Sequence, residues 1–380
     1  MNTRERGVRE MARISGGTGE GIAERLERLS PTMAALLVEQ GYGAVYGSPE
    51  LSRQAREIAT VALLAAGGFS AELRIHVEAA LRVGVDLTEL VALAEHLSLY
   101  AGLPRMIELS DVLAEFAEGR STPLLGRTLS LSDHDTRLLD TGGDAPPLVF
   151  LHSVGTSRWA FRPLLDRVGS RFRGLAYDLR GHGSALVPAE TLSIDRWVED
   201  LREILELLGL GKIHLVGLSL GGSVALAFAD RHPERLLSLT LLSPPPPAPE
   251  KFRERARLIR NEGSEPQIGP TLARWFTPAF LGANPWEVRI CREDLRVMDP
   301  ATWSGAFEAL AGMEPLPQGR TFSFPVRVLG GACDQSVPVE ILRPFAERIF
   351  GATFDVVPGA PHQMALETPD LLLPPLVAGL

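Results

Sequence analysis

The sequence predicts two folding units in series: an all-helical domain over about residues 20–119 and an α/β domain with a helical cap over about residues 127–380. Three observations lead to that reading. At 380 residues the chain exceeds what one ordinary hydrophobic core supports. Its first third places apolar residues at helical spacing and shows no strand pattern. Beyond about Leu124, short β-rich runs alternate with helical stretches, the signature of a mostly parallel sheet covered on both faces.

Composition narrows the class before any element is placed. Apolar residues make up 45% and charged residues 22%, the balance of a globular chain. The net charge of −9 argues against nucleic acid as partner, and Lys212 and Lys251 are the only lysines among many arginines. The opening "MNTRERGVREMARI" has no apolar run of signal-peptide length, and no later segment has the ~18 uninterrupted apolar residues of a membrane span. Cys291 and Cys333 lack metal-ligand or CxxC spacing, so free thiols, no metal and a cytoplasmic location are expected.

The helical elements follow in order. "ELSRQAREIATVALLAAGG" is apolar on one face and stops at Gly67-Gly68, a glycine end signal. "AELRIHVEAALRVG" stops at Gly84 in the same way. "DLTELVALAEHLSLYAG" starts with Asp86 and Thr88 as caps and ends at Gly102 before Pro104. Residues 120–126, within "AEGRSTPLLG", read as a linker. "RTLSLSDHDTRLLDTGG" then alternates around a turn at Asp133-His134-Asp135 and predicts a hairpin. "PPLVFLH", "GLAYDL", "IHLVGLS", "LSLTLLS", "VRVLGG" and "TFDVVPG" are the remaining strands. Helical, Trp-bearing sequence over about 245–321 interrupts the alternation and predicts a cap over one end of the sheet.

One stretch carries chemistry on its face. Gly217-Leu218-Ser219-Leu220-Gly221 fits G-x-S-x-G between the strand "IHLVGL" and a helix, where a sharp turn lifts the serine oxygen above the sheet and glycines allow the backbones to crowd. Its partners appear in the order serine, acid, histidine: Asp334 follows the strand "VRVLGG" and His362 follows "TFDVVPG". A serine hydroxyl is a weak nucleophile, so His362 would take its proton while Asp334 holds the imidazole tautomer. The loop after "LVFL" would supply the backbone N–H of Val154, which with that of Leu220 would hold an oxyanion. His152 is expected to shape that loop, and His182, in "DLRGHGSA", to organise a turn beside the site.

These residues resemble an α/β-hydrolase from about Leu124 onward, and within that superfamily the 3-oxoadipate enol-lactonases. The oxyanion loop "HSVGTSRW" and the cap stretch "TLARWFTPAFL", which contains Arg274 and Trp275, carry the closer match. His152 stands where that family usually has asparagine.

In the helical domain, His76 shares a helix face with Leu73, Ala79 and Ala80, the usual setting of a core histidine. Glu57 on the preceding helix, Glu72 one turn away and His96 further on are the candidate partners. "ELRIHVEAALRVGV" and its surroundings, about Leu29 to Phe116, resemble the γ-carboxymuconolactone decarboxylases, an all-helical family that assembles into rings. Related alkylhydroperoxidase D-like proteins carry a CxxC where this chain has Phe69 and Glu72, which removes thiol peroxidase chemistry. By resemblance Glu57, His76 and His96 would line the helical site, and homo-oligomers through this domain are implied.

Together the two resemblances imply consecutive reactions: loss of CO2 from 4-carboxymuconolactone, then hydrolysis of the resulting 3-oxoadipate enol-lactone to 3-oxoadipate. Neither step needs a cofactor. A positioned acid, His76, would protonate carbon as CO2 leaves. Both substrates are small anionic lactones, so Arg74, Arg257, Arg260 and Arg274 are candidate anchors, with Trp275 beside them. Fusions of these activities more familiarly place the hydrolase first, and here the order is reversed. Alternative readings are a serine esterase or lactonase for another substrate, a cofactor-free haloperoxidase, and a helical domain that serves only as an assembly module.

Overall fold

A computed structural model describes residues 2–15, 18–83, 85, 87–117, 125–168, 171–315 and 319–378. The chain divides into two compact units, Met1–Arg127 and Thr128–Leu380. Among the described residues no helix is long and apolar enough to cross a membrane.

Among the described residues the first unit is helical as far as Ala117. Helices α1 (Thr3–Ser15), α2 (Thr18–Leu29) and α3 (Pro31–Ala35) lead into a wider π-helical segment, Leu36–Tyr46, and then α4 (Arg53–Gly67), α5 (Ser70–Arg82), α6 (Leu87–Tyr100) and α7 (Leu103–Ala117). Helix α1 lies upstream of the expected start near residue 20, because few apolar side chains mark it; Met11 and Ile14 are nonetheless fully buried. It crosses the π-helical segment at backbone contact, so a Cβ on Gly7 would fall 1.9 Å from Val38 O and one on Gly43 2.3 Å from Thr3 O. The core is a stripe from α4 to α7 that includes Val61, Leu73, Val77, Leu90 and Leu109. Gly68 ends α4 at φ 74°, with its N–H on Ala65 O and that of Phe69 on Leu64 O. The expected stop at Gly84, the caps Asp86 and Thr88 and most of the expected linker, residues 120–124, lie outside the described residues or side chains.

The second unit is built on an eight-stranded sheet: β1 (Leu125–Ser130), β2 (Asp135–Asp140), β3 (Pro147–Leu151), β4 (Arg173–Tyr177), β5 (Ile213–Leu218), β6 (Leu236–Leu242), β7 (Val326–Gly331) and β8 (Thr353–Val357). Its order is β1-β2-β4-β3-β5-β6-β7-β8. Strand β2 runs antiparallel to β4, and every pairing from β4 to β8 is parallel. Strand β1 starts within the stretch expected to be linker. The connecting helices are α8 (Arg162–Val168), α9 (Ile194–Leu207) and α10 (Leu220–Arg231). Five more, α11 (Pro249–Glu262), α12 (Glu265–Trp275), α13 (Pro278–Ala283), α14 (Trp286–Val297) and α15 (Pro300–Ala311), intervene between β6 and β7 where a cap is expected. Helices α16 (Val339–Ala346), α17 (Met364–Glu367) and α18 (Pro369–Val377) complete the chain. The central strands β5 and β6 are mostly apolar and are buried along nearly their whole length. After β3 the chain builds β4 on one side and returns to build β5 on the other, so a crevice opens above the carboxyl ends of β3 and β5.

Candidate active site

Ser219 occupies that crevice. It joins β5 to α10 at φ 53° and ψ −115°, a strained backbone for a residue with a side chain. Its own N–H on Leu242 O, at 2.9 Å, helps hold the turn. The flanking glycines are steric necessities: a Cβ on Gly217 would lie 2.2 Å from Gly221 O, and one on Gly221 2.1 Å from Leu151 O. Gly221 N–H donates to His152 O at 3.1 Å, which ties the serine turn to the end of β3.

The acid and histidine loops are zipped together in the same way. Cys333 N–H donates to Ala360 O at 2.8 Å, and Gly331 packs so closely that a Cβ would lie 2.3 Å from the same carbonyl. This brings Asp334 Oδ2 to 2.8 Å from His362 Nδ1, with both side chains buried. The other oxygen of Asp334 accepts the N–H groups of Ser336 and Val337, each at 2.8 Å. Burial alone would raise the Asp334 carboxyl. The His362 charge and hydrogen bond, the Val337 N–H and the neighbouring Ser243 hydroxyl outweigh it and hold the carboxyl below the usual range. His362, Ser219 and Val154 line one cavity of about 290 Å³ beneath the cap helices. Leu220 opens α10 immediately beside the serine.

The loop that carries Val154 is held by two residues of different legibility. His152 donates from Nδ1 to Ser153 O and accepts the Leu179 N–H at Nε2, each at 2.9 Å, so both ring nitrogens are committed and the ring is neutral. Burial pushes its pKa down to about 4. His182, edge-on to it at 5.2 Å, is pushed by burial and by His152 to about 3. Gln363, fully buried, donates to Ser153 Oγ at 2.7 Å and so links the loop that carries His362 to the loop that carries Val154. Sequence reasoning missed Gln363; its only signal is its place next to His362.

The candidate anchors separate. Arg274 and Trp275 line the cavity, whereas Arg257 is exposed and Arg260 is spent on Ser304 and Glu308, each at 3.1 Å. Arg255, which the sequence reading passed over, lines the cavity instead, together with Lys251. Arg74 stands on α5 in the helical unit with its guanidinium 5.9 Å from the Phe116 ring centroid. Asp133, His134 and Asp200 cluster as if to hold a metal, but Arg180 already fills the cluster, donating to each carboxylate at 2.7 Å.

In the helical unit the structure brings Glu57 and His76 together, Oε2 to Nδ1 at 2.9 Å, with Glu57 wholly buried. The π-helical segment adds two tyrosines that the sequence reading did not name. Burial, then the Glu57 charge among lesser causes, pushes Tyr46 up to about 12; burial also raises Tyr42, with smaller pushes from Tyr46 and Glu57. The Tyr46 hydroxyl lies 3.0 Å from Thr60 Oγ1. His96 does not join them: it is exposed on α6 beside Tyr100, and no hydrogen bond links it to Glu57 or His76 among the described residues.

Comparison with known proteins agrees with this division. Residues 146–369 match the family model described as alpha/beta hydrolase fold, and residues 31–115 match the carboxymuconolactone decarboxylase family. A 3-oxoadipate enol-lactonase of Acinetobacter baylyi is 29% identical over 228 residues, which cover 60% of this chain and 85% of that protein. Among solved structures, an enol-lactonase from Burkholderia xenovorans superposes with a TM-score of 0.60 at 25% identity, covering 66% of this chain and 98% of its own. A thermophilic esterase from Thermogutta terrifontis gives 0.59 at 26% identity, covering 68% and 97%.

Proposed function

The chain belongs to the alpha/beta hydrolase fold family, with a carboxymuconolactone decarboxylase family domain fused ahead of it, and from that premise we propose that it carries out consecutive decarboxylation and lactone hydrolysis. The hydrolase unit would open 3-oxoadipate enol-lactone, and the helical unit would form that lactone from 4-carboxymuconolactone. The observation that carries the hydrolytic half is Ser219 facing the same cavity as a histidine whose Nδ1 is bound to a buried carboxylate at 2.8 Å. Likeness to enol-lactonases and the fused family domain support the choice of substrate.

Asp334 keeps the proton of His362 on Nδ1, which leaves Nε2 free to take the proton of Ser219 as its oxygen attacks the lactone carbonyl. The N–H groups of Val154 and Leu220 receive the oxyanion. The ring oxygen leaves as an enol, which ketonises, and water activated by His362 Nε2 releases the acid from Ser219. In the helical unit, Glu57 fixes the His76 ring through Nδ1, and the imidazolium form would give its Nε2 proton to carbon as CO2 departs, leaving the ring neutral. A cytoplasmic location agrees with two cysteines that form no disulfide.

The test is to give purified protein 4-carboxymuconolactone, alongside a Ser219→Ala variant, and to follow CO2 and products by mass. Wild type should yield 3-oxoadipate, and the variant should release CO2 but stop at the enol-lactone. If neither releases CO2 while wild type still cleaves simple esters, the pathway assignment fails and the hydrolase survives. One observation favours a second role for the helical unit as an assembly module: it leaves Leu63, Leu99, Tyr100 and Leu103 more than half exposed. Homo-oligomers built through that unit would cover them, and sedimentation of the full chain measures this.

A further inference from the structure

The cavity above Ser219 holds an electrostatic imbalance. Its wall is largely apolar, with Phe252, Trp275, Trp303 and Phe307 among its residues, yet three cationic side chains, Lys251, Arg255 and Arg274, also face it. Among the described residues no aspartate or glutamate lines it. The chain as a whole carries a net charge of −9, so this local excess of positive charge runs against the protein's own balance.

Neither guanidinium has an ion-pair partner among the described residues. Among the described residues the Arg274 guanidinium donates to the neutral Thr271 hydroxyl, at 3.0 Å. Burial lowers its pKa to about 10, and repulsion from Arg255 adds to the shift. Arg255 is likewise lowered by burial, and its exposed chain neighbour Glu254 offsets only part of that. Two half-buried cations that repel each other cost stability unless an anion joins them. Elsewhere in this unit buried arginines are matched: Arg158 with Asp178, Arg162 with Asp166 and Arg180 with Asp200.

We propose that Arg255 and Arg274, with Lys251 at the rim, form an anion subsite that selects esters or lactones bearing a free carboxylate, held while Ser219 attacks the ester carbonyl. The fork of a guanidinium matches a carboxylate, and the apolar wall strengthens the pairing by excluding water. The inference rests on the serine-hydrolase reading for its chemistry but not for its binding.

The experiment compares monoethyl adipate with ethyl hexanoate, which differ by a terminal carboxylate in place of a methyl group. Wild-type kcat/KM, read by titrating released acid, should favour the anionic ester by at least about tenfold, the scale of one charge-assisted hydrogen bond. The preference should collapse in Arg255→Gln/Arg274→Gln and survive in part in Arg274→Lys, which keeps charge but loses the fork. Calorimetric binding of both esters to Ser219→Ala separates the two readings. Selective binding without wild-type turnover sinks the hydrolase and keeps the subsite. Turnover without discrimination, or discrimination that survives in the double glutamine variant, overturns the subsite.

Discussion

Acid should weaken the hydrolase unit before its carboxylates titrate, and His152 should be a principal cause. Both nitrogens of this ring are engaged, one as donor and one as acceptor of the Leu179 N–H, so a second proton would be forced against an N–H that already points at Nε2. The folded-state pKa of about 4 lies below the ordinary 6.5, so the unfolded chain binds the proton first. The stabilisation is therefore complete above about pH 6.5 and is lost as pH falls toward about 4. At pH 5 the linkage amounts to about 2 kcal/mol for this histidine alone. His182 acts in the same direction, and because the ring centroids lie 5.2 Å apart the two titrate as a pair. His214, lowered by burial, contributes equally to wild type and variant and cancels in the comparison. Urea unfolding followed by tryptophan fluorescence isolates this unit, since Trp159, Trp197, Trp275, Trp286 and Trp303 all lie within Thr128–Leu380. Wild type should lose roughly 2–4 kcal/mol between pH 7.5 and pH 5. His152→Asn keeps an amide donor and acceptor but does not titrate; it should start lower by about 1–2 kcal/mol and lose about half as much on acidification. Equal wild-type stability at the two pH values, or an equally steep loss in the variant, would refute the argument.

Other substitutions probe separate links. Asp334→Asn should leave KM nearly unchanged and lower kcat by about 10³–10⁴-fold, because an amide N–H facing Nδ1 favours the wrong tautomer of His362; ester turnover measures it. Gly221→Ala sets a Cβ 2.1 Å from the Leu151 carbonyl and should cost at least about 2 kcal/mol, read from the urea midpoint. Tyr46→Phe should remove the phenol that titrates near 12 from the alkaline absorbance change. Glu57→Gln should cut CO2 release by at least about tenfold if His76 acts through its carboxylate partner, and an unchanged rate would favour the assembly role.

Much of the candidate hydrolase site is legible in the sequence because its parts are local. Ser219, Asp334 and His362 each follow an apolar strand, and the glycines around the serine announce a turn that no larger residue enters. The cap was less legible. Helix α11 buries Phe252, Ala256 and Ile259, and that stripe turns Arg255 toward the cavity while Arg257 and Arg260 face away or outward. Which arginine of this helix lines the cavity is thus decided by helix phase, which composition does not reveal. Tyr42 and Tyr46 escaped for a related reason: they ride a π-helical segment whose wider turn departs from the usual periodicity.

By itself the sequence determined the division into a helical and an α/β unit, the strand-ending positions of serine, acid and histidine, and the glycines between them, since each follows from the steric and apolar preferences of neighbouring residues. Tertiary structure alone decided that His152 is locked neutral, that Gln363 bridges two loops and that Arg255 repels Arg274 with no ion-pair partner for either among the described residues. Those facts depend on which groups distant segments bring within hydrogen-bond reach and out of water.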